Sequence, residues 1–158
     1  MILDGLDDFA RECMYKTMEV LGREMRQKMQ AYIKENDIMA WAKLYASITN
    51  EVLRRNGYIQ TTIKPNMYYA IWVHDGTEPH MPPIQPILEW VQVKRGRLGK
   101  SFLGDRSDVS TAWAVATNIK KFGTKGHPFV DITFNQNRQF ILDRFNDMVK
   151  EIVHDYSN

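Results

Sequence analysis

The residues best suited to chemistry gather between Tyr68 and His80, where His74, Asp75, Glu78 and His80 lie close together, and His127 could join them from further along the chain. Imidazoles and carboxylates are the side chains that hold zinc or move protons, so a metal-assisted hydrolase using His74, His80 and His127 is one reading. A metal, however, needs several ligands converging on one point from a rigid frame. The spacing here matches neither a helical nor a knuckle signature, and no cysteine supports it. Asp75-Gly76-Thr77 is turn chemistry, and a turn rich in histidine and acid is ordinarily a solvated corner. The corner is the better reading, and neither metal nor cofactor is expected.

Other catalytic patterns fail on their context. Ser47, Ser101, Ser107 and Ser110 lack a nucleophile elbow. The Gly99-Lys100-Ser101 triplet lacks the earlier glycine of a phosphate loop and follows a helical pattern rather than a buried strand. Asp7-Asp8 and the Asp75/Glu78 pair are explained by capping and turn formation rather than by acid–base work. No enzymatic activity is expected. The stretch from Lys94 to Arg106 holds Lys94, Arg95, Arg97, Lys100 and Arg106 against one acid, Asp105, with glycines interspersed. It reads as a phosphate-contacting loop, which would make the chain a small nucleic-acid-binding module, as a segment that orders against a protein partner, or as a solvated loop tip.

These residues must be positioned by the surrounding elements. Asp4 to Glu35 carries Leu6, Phe9, Cys13, Val20, Leu21, Met25, Met29, Tyr32 and Ile33 at mostly three- and four-residue steps, which predicts one long amphipathic helix. Gly22 is its weak point. Met14, Met18, Met25 and Met29 form either an adaptable partner surface or ordinary core, and core is favoured. A short second helix is predicted over Ile38 to Tyr45. From Ser47 the periodicity changes, and Asn56-Gly57 predicts a hairpin followed by the alternating strand Tyr58 to Lys64. Tyr68 to His74 reads as a third strand, completing an antiparallel meander.

Beyond the prolines, Ile87, Leu88, Trp90 and Val91 predict a helix entered at Pro86 and closed by Lys94-Arg95-Gly96. Gly96 to Ser107 reads as a loop. Asp108 or Ser110 caps the next helix, which carries Trp113, Ala116, Ile119 and Phe122 and ends at Lys120-Lys121 and Gly123. The last helix is predicted from Phe134 to Tyr156, with Ile141, Phe145, Met148, Val149, Ile152 and Tyr156 on one face. The expected fold is α+β, one domain over 1–158. It comprises an N-terminal helix (1–36), a small β-meander (46–75), two short helices joined by a basic loop (84–122) and a C-terminal helix (134–156).

Composition agrees with a globular chain: of 158 residues, 44% are hydrophobic and 25% charged, and the net charge of +2 demands no polyanionic partner. The one cysteine, Cys13, excludes an intrachain disulfide and lies on the apolar stripe of the first helix. A reducing cytoplasm is therefore expected, with an acidic N-terminus unlike a secretory signal and no apolar run near the roughly 18 residues of a membrane span.

Three segments together, YAIWVHDGTEPH, PPIQPILEWVQVKRG and AWAVATNIKKFGTKGHPF, resemble the tail-component family of HK-type siphophages, whose members serve as neck, head–tail joining or tail-completion proteins. Tyr69-Ala70, Val73, Gly76-Thr77, Lys120-Lys121, Gly123-Thr124 and His127-Pro128-Phe129 occupy the matching places, although His74-Asp75 replaces the usual acid before the first Gly-Thr pair. The resemblance covers roughly Ala46 onward. It implies a bacteriophage or prophage virion protein, made in the bacterial host cytoplasm and placed in the neck or tail. Its expected role is to form a hexameric or dodecameric ring that joins or caps the tail tube. Its implied partners are itself and neighbouring connector and tail-tube proteins, with non-specific contact to channel DNA and no membrane. The implied structural corners are Tyr69, Ala70, Gly76, Thr77, Gly123, Thr124, Pro128 and Phe129. Lys94, Arg95, Arg97, Lys100 and Arg106 are the expected partner or DNA contacts.

Overall fold

A computed structural model describes residues 8–38, 42–99 and 104–157. Helix α1 (Asp8–Glu35) is the spine on which the other elements are laid. Ala10, Cys13, Met14, Leu21, Gly22, Met25, Met29 and Ile33 form its buried face, so Met14, Met25 and Met29 are core, while Phe9 is exposed rather than part of the stripe. Leu6 and Trp41 lie outside the described residues. The helix ends at Asn36-Asp37, where Asp37 takes a positive φ of 54°, a conformation that aspartate tolerates better than most side chains.

After helix α2 (Ala42–Ser47), strands β1 (Ile48–Arg55) and β2 (Tyr58–Pro65) form an antiparallel hairpin, with Ile48 opposite Pro65 and Arg55 opposite Tyr58. Asn56-Gly57 makes the turn, as its chemistry predicts. The hairpin packs on α1 at Gly22. A Cβ there would lie 2.5 Å from the Thr61 hydroxyl oxygen and 3.3 Å from Asn50 Nδ2. Glycine is thus needed at this helix–sheet contact, and the residue that weakens the isolated helix permits the packed one.

The expected third strand is a helix. Tyr68 and Tyr69 form a turn leading into α3 (Ala70–Asp75), so no meander forms and the α+β fold carries a two-stranded hairpin instead. Aromatic and β-branched side chains in YYAIWV favour a strand, but Ala70 and Val73 turn inward at a three-residue step while Ile71 and Trp72 stay exposed. Burial at helical spacing outweighs intrinsic preference here.

Strand β3 (Gly76–Thr77) leads to helix α4 (Ile84–Leu98), and helix α5 (Asp108–Phe122) leads back to strand β4 (Thr124–Lys125). Ile87, Val91, Ala112 and Ala116 bury one another between the two helices, with Ile84, Leu88, Trp90, Val115 and Ile119 packed around them. This helical hairpin has a core of its own. The α4 helix does not stop at Gly96 but continues to Leu98, where the Gly99 N–H donates to the Arg95 carbonyl. Ion pairs on either side of Gly96 hold the extra turn, as described below. Ser107, not Asp108 or Ser110, caps α5, its hydroxyl accepting from the Ser110 N–H at 3.2 Å.

The C-terminal region is two helices, α6 (Phe129–Gln136) and α7 (Arg138–Tyr156), rather than one beginning at Phe134. Asn137 makes the break, its side-chain amide donating to the Thr133 carbonyl at 2.8 Å. Competition of this kind between an asparagine side chain and the helix ladder favours turns. In α7 only Met148 is fully buried, with Phe145 and Ile152 partly so. Val149 and Tyr156, expected on the same inward face, are exposed together with Leu142 and Val153. Arg144 grips Glu24 with two nitrogens, at 3.1 and 2.6 Å, tying α7 to α1. The principal core joins Met29, Ile33, Ile38, Leu44, Ile48, Ala70 and Phe129.

Candidate functional site

The two Gly-Thr motifs meet. Gly76 pairs with Lys125 and Thr77 with Thr124 in an antiparallel ribbon, and the two threonine hydroxyls share a 2.9 Å hydrogen bond across a sequence separation of 47 residues. The ribbon therefore brings together the start and end of the α4–α5 excursion. Gly76 and Gly123 adopt φ of 81° and 70° with ψ of −171° and −159°, a region open essentially to glycine. Space alone would also exclude a side chain. A Cβ on Gly76 would meet the Thr124 carbonyl oxygen at 2.3 Å, and one on Gly123 the Thr77 carbonyl oxygen at 2.0 Å. Gly126 is equally confined, its Cβ position falling 2.6 Å from the His74 carbonyl oxygen.

The corner is anchored below. His127 N–H donates to the Val73 carbonyl at 2.9 Å, Pro128 precedes α6, and Phe129 is wholly buried beside Ala70. Tyr69 packs on the same cluster, and burial pushes its phenol above the usual range. Thus Tyr69, Ala70, Gly76, Thr77, Gly123, Thr124, Pro128 and Phe129, drawn from two distant segments, form or adjoin one corner. Gly126 and His74 belong to it as well. The backbone contact of Gly126 with α3 carries no signal in the sequence, because its partners lie about fifty residues earlier.

His74 bridges elements. Its Nδ1 lies 2.5 Å from Asp75 Oδ1, its Nε2 lies 3.7 Å from Asp131 Oδ2 on α6, and its ring meets Phe129 edge-on at 5.4 Å. His80 Nδ1 sits 2.9 Å from the Glu78 carbonyl oxygen. The three histidines proposed for a hydrolase do not gather: among the described residues no three His, Cys, Asp or Glu side chains are placed to hold a metal ion.

The basic segment is largely engaged within the chain. Lys94 is buried, its ammonium donating to the Asp37 carboxylate and, at 3.3 Å, to the Asp37 carbonyl. Arg97 reaches the other Asp37 oxygen at 3.0 Å. Arg95 pairs with Asp108 and donates to the Arg106 carbonyl at 2.5 Å. The hydrogen bond from Lys94, with help from Arg97, holds the Asp37 carboxyl below its ordinary range. Residues 94–98 are therefore helix rather than open loop, and Lys94 is a fastening between the α4–α5 hairpin and the end of α1. Arg106 is exposed, and Lys100 lies outside the described residues. Asp37 was missed at the sequence level because its partners lie 57 and 60 residues away.

Apolar side chains are exposed on several described elements, among them α3, α5 and α7. Tyr68, Ile71 and Trp72 project from the start of α3, with Tyr68 set edge-on to both Tyr69 and Trp72. Beside them a groove of about 400 Å³ runs over Ala70, His74, Phe129 and Asp131. On α7, Leu142, Val149, Val153 and Tyr156 recur at steps that keep them on one face. Comparison with family models, with curated proteins and with solved structures finds no match to this chain.

Proposed function

We propose that this chain is a structural protein of a tailed-phage particle, working at the head–tail junction or tail end by assembling into a ring. The observation that carries the reading is the corner. The segments whose motifs resemble the siphophage tail-component family meet across 47 residues, and their glycines and threonines serve shape rather than reaction. A protein whose distinctive residues define a rigid corner, and which leaves aromatic side chains on its surface, is suited to binding other subunits. No described helix is long and apolar enough to cross a membrane.

The test is genetic and structural. Loss of the gene in the parent phage should leave separate heads and tails under the electron microscope, and mass spectrometry should find the protein in purified intact particles. Normal joined particles from the null mutant would overturn the proposal. Substituting Lys94 is unsuitable for this purpose, because its burial against Asp37 would confuse folding with assembly.

A further inference from the structure

Two surfaces on this chain complement one another. One is the α3 groove, lined by exposed Tyr68 and Ile71 together with Met67 and His74, with buried Phe129 beneath it. Two carboxylates are placed around it: Asp131 lines the groove and Asp75 contacts its His74 wall, with side chains 68% and 61% exposed. The other surface is the α5–β4 corner. Phe122 stands 74% exposed there, accompanied by exposed Lys120, Lys121 and Lys125. No acid occurs from 109 to 130. Glu78 follows β3, and its backbone packs near Gly123, so the corner is not wholly cationic, but the three lysines predominate.

We propose that the Phe122 corner of one copy docks into the α3 groove of the next. This rests on the assembly reading above and supplies its contact. The arrangement has the anatomy of a specific interface, with an aromatic anchor laid on a shallow, partly apolar groove and charges of opposite sign around the rim. An incoming aromatic ring can meet Tyr68 and Ile71, since the edge-on packing of Tyr68 against Trp72 leaves most of Tyr68 exposed. The lysines approach Asp75 and Asp131, a pairing that selects register as well as partner. Groove and corner adjoin through the β3–β4 ribbon, where Lys125 pairs with Gly76 beside Asp75, but they present different residues, so the docking of knob into groove between copies is heterologous. Repeated from copy to copy, it generates a ring when the rotation closes. The charge match argues for a second copy as the occupant: the chain itself presents the cationic aromatic knob that its acidic aromatic groove fits.

Reversing charges tests this directly. Lys120→Glu/Lys121→Glu makes the corner acidic, and Asp75→Lys/Asp131→Lys makes the groove basic. Each variant alone should sediment as a smaller species than wild type over the same concentration range. An equimolar mixture should recover association, because the acidic corner of one then meets the basic groove of the other. Phe122→Ala alters no charge and should weaken association about thirtyfold, as loss of an interface anchor does. Near-ultraviolet circular dichroism should show all variants folded. If wild type associates and Phe122→Ala or the reversed pairs associate equally well, the docking surfaces are wrong while the assembly reading stands. If wild type stays monomeric at every concentration, the docking falls, and if the null phage also still joins heads to tails, the assembly reading falls with it.

Discussion

Replacing Gly123 with alanine should open the base of the α4–α5 hairpin. The native φ and ψ of 70° and −159° are strained for any residue with a Cβ, which costs about 1–3 kcal/mol. The new methyl would also sit 2.0 Å from the Thr77 carbonyl oxygen and 3.0 Å from the Glu78 carbonyl carbon. Both contacts are backbone, so relief requires the β3–β4 ribbon to part rather than a side chain to rotate. Overpacking of this kind adds about 1–3 kcal/mol, for a combined loss of roughly 2–6 kcal/mol. In a chain of this size that lowers the melting temperature by roughly 4–24 °C. Urea denaturation measures the loss. Hydrogen exchange locates it, with amides near Thr77 and Thr124 losing protection first. The control is Gly96→Ala, within α4, where an added Cβ meets nothing within 4 Å. It should gain up to about 1 kcal/mol from helix preference. A Gly123→Ala protein within about 0.5 kcal/mol of wild type, the range of a neutral surface change, would refute the closed corner.

Asp37→Asn should destabilise the chain by about 1–3 kcal/mol, below the cost of a fully buried pair because Asp37 is half exposed while Lys94 is not. Thermal melts would measure it. Since the Asp37 carboxyl is held below its ordinary range, its stabilising contribution is complete above the unfolded value of about 3.9 and disappears as pH falls through the lower folded value. Wild type should therefore lose this increment on acidification, whereas Asp37→Asn should lack that component of the pH dependence. Gly22→Val should cost about 1–3 kcal/mol by pushing α1 away from Thr61 and Asn50, and a melt unchanged from wild type would contradict that packing. Cys13 is buried, and desolvation followed by Glu151 pushes its thiol above the ordinary range, so a thiol reagent should label it slowly in the native protein and rapidly in urea. Equal rates would show the α1–α7 seam to be open.

Much of the local structure was legible in the residues themselves. The stripe of α1, the Asn56-Gly57 hairpin and the Gly123 stop of α5 each follow from periodicity or turn chemistry acting over a few positions, where neighbouring side chains settle the backbone. The readings that failed depend on distant partners. Gly96 looked like a helix end, but the pairs from Lys94 and Arg97 to Asp37, and from Arg95 to Asp108, carry α4 one turn further. Asn137 divided a segment whose apolar spacing promised one helix.

The Tyr68–His80 stretch divides along the same line. By itself the sequence determined that Asp75-Gly76-Thr77 turns, because glycine after aspartate favours no regular element. Only tertiary structure decided that the residues before it are helical, since Ala70 and Val73 find their core beside Phe129, on a segment more than fifty positions later. It also decided what the turn is for. The contact between Gly76 and Thr124 comes from backbone atoms brought together across the whole α4–α5 excursion, and no pattern in either motif encodes that distance.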